Sequence, residues 1–208
     1  FSTLPVESNS ILYPSFTASF ILSDAITMPS FVSFAKLRGG WAQVGGDTDP
    51  YQLNLTYALV GQGHFGSPLG RISQGRIPNF NLQPSQTSEI ELGADFRLFQ
   101  NKLGVDITYY DKITSNDILF ASISQTSGFG SQVVNIGELR NTGIELLLNI
   151  TPIKRTDFSW DMTFNFANNQ NEVVSLLTPE QDEESIRVSE SRTRSAYIHH
   201  EEGQPYSV

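Results

Sequence analysis

Residues 89–109 read Glu89-Ile90-Glu91-Leu92-Gly93-Ala94-Asp95-Phe96-Arg97-Leu98-Phe99, then Gln100-Asn101-Lys102, then Leu103-Gly104-Val105-Asp106-Ile107-Thr108-Tyr109. Ile90, Leu92, Ala94, Phe96 and Leu98 fall on one parity, and Glu89, Glu91, Asp95 and Arg97 on the other. Successive side chains of an extended backbone point to opposite sides, so this alternation predicts a strand with one apolar and one charged face. Past the tight Gln-Asn-Lys turn, Leu103, Val105, Ile107 and Tyr109 oppose Asp106, Thr108 and Lys112. Two such strands across a short turn predict an antiparallel pair with the same two faces.

Four more windows follow the same logic on either side. In Pro14–Asp24, Phe16, Ala18, Phe20 and Leu22 oppose Ser15, Thr17, Ser19 and Ser23, with Ile21 as an exception. In Phe34–Val44, Ala35, Leu37, Gly39 and Trp41 oppose Lys36, Arg38, Gly40 and Ala42. In Gly143–Thr151, Ile144, Leu146, Leu148 and Ile150 oppose Glu145, Asn149 and Thr151, with Leu147 as a second exception. In Phe158–Ala167, Phe158, Trp160, Met162, Phe164 and Phe166 oppose Ser159, Asp161, Thr163 and Asn165. The six strands, with Glu89–Phe99 third and Leu103–Lys112 fourth in chain order, each run about ten residues, the length a tilted strand needs to cross a bilayer.

The connections also alternate. Phe99–Leu103, Thr151–Phe158 and Asp24–Ser33 are short or moderate, whereas 44–88, 113–142 and 168–208 are long. Outer-membrane barrels have short periplasmic turns and long extracellular loops. The first, third and fifth strands are therefore expected to run toward the periplasm and the others away from it. Phe34, Phe96, Phe158 and Trp160 then fall at the inner rim, and Phe16, Trp41, Tyr109 and Phe166 at the outer rim, as an aromatic girdle or as ordinary strand aromatics. A soluble β-sandwich alternates faces too and stays open as the rival reading.

Composition narrows the classes. The 208 residues include no Cys, which excludes disulfides and Cys-based zinc sites. A net charge of -9 argues against a nucleic-acid partner. The acidic run Glu180–Glu184 reads as a solvated loop. No stretch is long and apolar enough for a transmembrane helix, and a mean hydropathy of -0.21 fits a soluble protein or a β-barrel equally. The chain opens at Phe1 without a leader and stops just past Gly203-Gln204-Pro205, which reads as a piece of a longer protein.

The motifs with chemical potential are weak. Gly61-Gln62-Gly63-His64-Phe65-Gly66 matches a dinucleotide fingerprint, but Pro68 and Gly70 follow and no helical pattern does, so it is expected to be a flexible loop. His199-His200-Glu201-Glu202 is expected to be a solvated loop rather than a metal site. No nucleophile elbow accompanies the three histidines, and the carboxylates of 89–95 suit a polar channel lining better than glycosidase chemistry. The chain is expected to be no enzyme and to hold no cofactor or metal. Ligand contact is expected in the loops, from Tyr51, Tyr57, Phe65, Phe120 and Phe129, whose alternative role is loop packing or contact with a lid.

Several strings carry a resemblance. They are Tyr13-Pro14-Ser15-Phe16-Thr17-Ala18-Ser19-Phe20, Phe34-Ala35-Lys36-Leu37-Arg38-Gly39-Gly40-Trp41-Ala42-Gln43-Val44-Gly45, and Pro78-Asn79-Phe80-Asn81-Leu82-Gln83-Pro84 with Glu91-Leu92-Gly93. Tyr109-Tyr110 with Asn116-Asp117-Ile118-Leu119, Asn135-Ile136-Gly137-Glu138 with Asn141-Thr142-Gly143-Ile144-Glu145-Leu146, and Phe158-Ser159-Trp160 with Phe164-Asn165 continue the series. In order and spacing they resemble the SusC/RagA family of TonB-dependent outer-membrane transporters of Bacteroidetes-type bacteria. Ser85, in place of the usual Glu, and Gly40-Trp41, in place of Ser-Tyr, depart from the pattern without unsettling a strand or loop.

The resemblance implies an all-β fold, an antiparallel transmembrane β-barrel. Residues 1–208 would be part of one barrel domain, about six long strands of a roughly 22-stranded wall with long extracellular loops. Plug and remaining strands would lie elsewhere. It implies the bacterial outer membrane as location and import of a glycan (oligosaccharide) or peptide ligand. A SusD-like surface lipoprotein would cap the barrel, and TonB would act through the plug region. A passive porin and a soluble β-rich binding module are the alternatives.

Overall fold

A computed structural model describes residues 3–72, 75–176, 185–190 and 196–206. Within them lie β1 (Ser15–Ile21), a one-turn α1 (Leu22–Ala25), β2 (Val32–Gly46), β3 (Tyr57–His64), β4 (Ser67–Ile72), β5 (Arg76–Ile77) and β6 (Ser85–Leu98). They continue as β7 (Leu103–Ser122), β8 (Ser131–Lys154), β9 (Ser159–Ser175), β10 (Ser185–Glu190) and β11 (Tyr197–Glu201). β1, β2, β6, β7, β8 and β9 pair in that order, every pair antiparallel. β5 adds a short parallel pairing to the far end of β8. β3–β4 and β10–β11 are separate two-stranded hairpins.

The register aligns the apolar parities of all six long strands. Phe20, Leu37, Ala94, Ile107, Leu146 and Phe166 form one row across the sheet. Ala18, Gly39, Leu92, Tyr109 and Ile144 form the next, ending at Asn168 on β9. This face is exposed: Phe16 keeps 69% of its surface, Leu92 56% and Phe166 59%. A sandwich would bury it under a second sheet. The other sheets among the described residues are only two-stranded hairpins, and the buried apolar residues lie elsewhere. Val134, Ile136, Val173, Leu176 and Ile186 make one cluster, and Leu4, Leu82 and Val133 another, both at the far end of β7 and β8. The apolar face is a belt for lipid, the arrangement of a transmembrane barrel wall.

The short turns gather at the opposite end. Phe99, Gln100 and Asn101 all adopt left-handed φ, between 53° and 65°. Hydrogen bonds from Phe99 N to Phe31 O (2.7 Å) and from Gln100 N to Ser33 Oγ (3.0 Å) hold this uncommon run in place. They also tie the β6–β7 turn to the β1–β2 link.

Three expectations need correction. Strand one was expected to continue to Asp24, but α1 takes Leu22–Ala25. The connection 113–142 was expected to be a long loop, but β7 continues to Ser122 and β8 begins at Ser131, leaving a short turn. The connections 44–88 and 168–208 contain β3–β5 and β10–β11, and β9 runs on to Ser175. The last two share a reason: alternation needs different surroundings on the two faces. Beyond the bilayer both faces meet water or protein, so the pattern lapses while the hydrogen-bond ladder continues. The acidic run Glu180–Glu184 lies outside the described residues.

Candidate functional site

The face opposite the belt is the lumenal wall, and its polar residues are laid flat along it. Arg38 on β2 stands opposite Gly93 on β6, which stands opposite Thr108 on β7. With no side chain at Gly93, the Arg38 stem and guanidinium lie across β6; a Cβ there would sit 2.6 Å from Arg38 Cζ. The guanidinium reaches Asp106 in two parallel bonds, Nη1 to Oδ2 at 3.0 Å and Nη2 to Oδ1 at 2.9 Å. Nη2 also donates to Thr108 Oγ1, and Glu91 lies 3.6 Å from Nε. Such forked pairs are geometrically specific. Tyr110 repeats the device one step on: its ring lies over Gly143 on β8 and its hydroxyl reaches Asn169 Oδ1 on β9 at 3.4 Å.

The two exceptions to alternation fall on one lumenal row, Ile21, Lys36, Asp95, Asp106, Leu147 and Asn165. Beside it a 380 Å³ cavity, near the tight-turn end, is lined by Asp95, Arg97, Asp106, Leu147, Asn149 and Thr151 among others. Its charges are mixed in sign, and Asp106 is committed to Arg38, so the surface suits wetting and contact rather than acid–base chemistry.

At the far end the chain folds back over the prolonged β7–β8 hairpin. Asn135 clamps this region: its Oδ1 accepts from Gln83 N at 3.0 Å, while its Nδ2 serves Gln83 O at 2.8 Å and Asn116 O at 2.9 Å. Phe120, expected in a loop, lies in β7, with the Arg76 guanidinium 3.9 Å over its ring. Phe129 is half-buried in the β7–β8 turn. Tyr51 is exposed in a left-handed turn. Tyr57 opens β3 and Phe65 tips the β3–β4 hairpin, 93% exposed, with φ 50° beside Gly66 at φ 78°. The structure thus places Tyr57 and Phe65 on one hairpin and Phe120 and Phe129 on another. Reading the sequence alone missed Arg76, Gln52, whose Oε1 accepts from Arg76 Nη1 at 3.5 Å, and Asn135; only Asn135 sat in a string already singled out.

Two further expectations are corrected here. Gly61–Gly66 is no flexible loop but the end of β3 and its turn. His199 and His200 lie in β11 rather than in a solvated loop. Neighbours on a strand point to opposite sides, so His199 meets Ser185 Oγ at 3.0 Å while His200 is fully buried against the Tyr206 ring at 4.2 Å. Burial lowers the His200 pKa below its ordinary 6.5, with Asp117 pulling weakly the other way. A depressed folded-state pKa means stability present above the unfolded value and lost as pH falls through the folded one. The β10–β11 hairpin is therefore expected to loosen as pH drops below 6.5. Hydrogen exchange of 185–206 at graded pH measures this, and His200→Phe should flatten the response.

A receptor of Formosa agariphila, "TonB-dependent receptor P3", is 33% identical over 147 residues, covering 68% of this chain and 14% of its own length. "TonB-dependent receptor SusC" of Bacteroides thetaiotaomicron is 32% identical over 154 residues, covering 70% and 15%. Among solved structures, "Structure of the RagAB peptide transporter" superposes with a TM-score of 0.84 at 19% identity, over 98% of this chain and 22% of that one. The chain thus spans under a quarter of the length of each of these relatives. The family described as "TonB dependent receptor-like, beta-barrel" matches residues 2–192, and the chain belongs to it.

Proposed function

We propose that this chain is a wall segment of a TonB-dependent nutrient importer in the bacterial outer membrane. The observation that carries the reading is one antiparallel sheet whose register gives an uncharged belt on one face and an ion-laced lining on the other. Residues 1–208 belong to a single barrel domain. A SusD-like lipoprotein caps the barrel, TonB acts through a plug supplied by the rest of the protein, and the cargo is an oligosaccharide or a peptide. The name of the RagAB peptide transporter supports the peptide as cargo. Tyr51, Tyr57, Phe65 and Phe129 are the loop aromatics proposed to meet cargo or lid; Phe120 is engaged with Arg76 and serves packing.

Full-length protein in an outer-membrane fraction tests the reading. An unboiled band running faster than the boiled one, together with cargo uptake abolished by loss of TonB, supports it. Uptake independent of TonB would make the protein a passive porin. A protein in the soluble fraction with no heat-dependent shift would return the soluble binding module.

A further inference from the structure

Toward the far end of the lumenal wall the sheet holds a trough of 280 Å³. Its floor is β2, where Gly40, Ala42 and Val44 face the lumen with small or apolar groups. Its wall is β6, where Glu91, Glu89 and Thr87 stand opposite those three in turn, and Lys112 of β7 stands opposite Glu89. The floor is no sheet edge: β2 pairs with β6 on one side and β1 on the other, and Gln43 N extends the second pairing to Pro14 O at 2.9 Å. At the same height on the outward face, Trp41, Ile90 and Asp111 mark where the apolar belt gives way to polar residues. On the barrel reading, the trough therefore opens at the outer mouth of the pore. Opposite charges facing each other across neighbouring strands ordinarily attract and pair. The ion pairs among the described residues are Arg38 with Glu91 and Asp106, and Arg140 with Asp111. Glu89 and Lys112 are in none of them, although each faces the other. Arg38 is turned toward Asp106, and only its Nε lies near Glu91, at 3.6 Å.

We propose that this trough is a subsite for the amino terminus of a peptide. Its ammonium lies between Glu89 and Glu91, its first residue over the Gly40–Ala42 floor, and a main-chain carbonyl accepts from Lys112. The proposal rests on the importer reading and gives its cargo a chemical class. Charge is the first argument. Two carboxylates outnumber the one ammonium, so the trough favours a cationic group. Residues two apart on one strand face stand about 7 Å from each other, so a group between them reaches both. An ammonium carries three donors and can be shared between two acceptors. Shape is the second argument. With no side chain at Gly40 and only a methyl at Ala42, a peptide backbone can approach the floor closely. The volume is at the small end for a ligand site, which suits one end of a longer molecule. A neutral sugar would meet the same charges with hydroxyls alone and gain no ion pair.

Calorimetric titration of the purified full-length transporter tests this with three probes: tri-alanine, N-acetyl-tri-alanine and maltotriose. Tri-alanine should bind about 10-fold more tightly than its acetylated form, the scale of one hydrogen bond to a charged group. Maltotriose should bind more weakly than tri-alanine. Glu89→Gln should bring the two peptides within about 2-fold of each other, whereas Lys112→Met should weaken both alike and keep their ratio. Each variant is first checked for its heat-modifiable band, so that loss of the barrel is distinguished from loss of the site. If a variant loses the band, the acetylation ratio in the unaltered protein decides alone. Equal binding of the two peptides, no binding of tri-alanine, or an unchanged ratio in Glu89→Gln overturns the proposal. So does maltotriose binding as tightly as tri-alanine, which would mark a site for sugar. Absence of the heat-modifiable band in the unaltered protein would instead sink the importer reading, and the proposal with it.

Discussion

Leu146→Arg is expected to destabilise the barrel by about 2–4 kcal/mol, the cost of a basic side chain on the lipid face near the bilayer midplane. Leu146 stands in the row of Phe20, Leu37, Ala94, Ile107 and Phe166, with an apolar row on each side. The preceding residue, Glu145, points the other way, opposite Thr108. Glu145→Arg on the wetted side should therefore shift stability by no more than about 1 kcal/mol. Urea titrations of the full-length protein refolded into liposomes compare the two. Equal losses would overturn the distinction between the faces, and a larger loss for Glu145→Arg would reverse it.

Gly143→Val should be nearly as damaging, about 2–3 kcal/mol, because the site cannot yield. A Cβ there would lie 2.5 Å from Tyr110 Cζ and 2.8 Å from the Asn168 carbonyl oxygen. Trimming the ring with Tyr110→Ala should recover only part of the loss, since the backbone contact remains. Gly93→Ala is the instructive contrast. Its nearest neighbours all belong to the flexible Arg38 side chain, so the cost should be about 1 kcal/mol and should largely disappear in an Arg38→Ala background. The same titrations, run as a double-mutant cycle, read the coupling. A Gly93→Ala cost unchanged without Arg38 would mean that the strand itself, not the overlying guanidinium, objects to the methyl.

The spanning wall was legible because lipid and water impose opposite demands on the two sides of each strand. Glu89–Phe99 and Leu103–Lys112 show this directly, and their tight turn was read where it stands. Even Ile21 and Leu147 prove orderly, since they share a lumenal row. Beyond the bilayer the same logic fails. Residues 113–122 and 131–142 pair strand to strand, yet Asn116 takes a left-handed φ of 55° and both faces carry mixed residues. Pairing there is set by long-range register and by clamps such as Asn135 to Gln83, which no local pattern announces. Phe120 shows the consequence: it was placed in a loop because the alternation had ended, although the strand had not.

The lumenal lacing has a mechanical meaning. Rungs of backbone hydrogen bonds resist separation of strands but allow a sheet to skew, as a ladder leans. Arg38 does not reach straight across to Thr108 alone; it also reaches Asp106, two residues along β7, and Glu91 on β6. Arg140 meets Asp111 by a similar offset on the outer side. These links act as diagonal bracing. They lock one strand's height against the next, so a load applied along the pore axis is shared among strands instead of being spent in slippage.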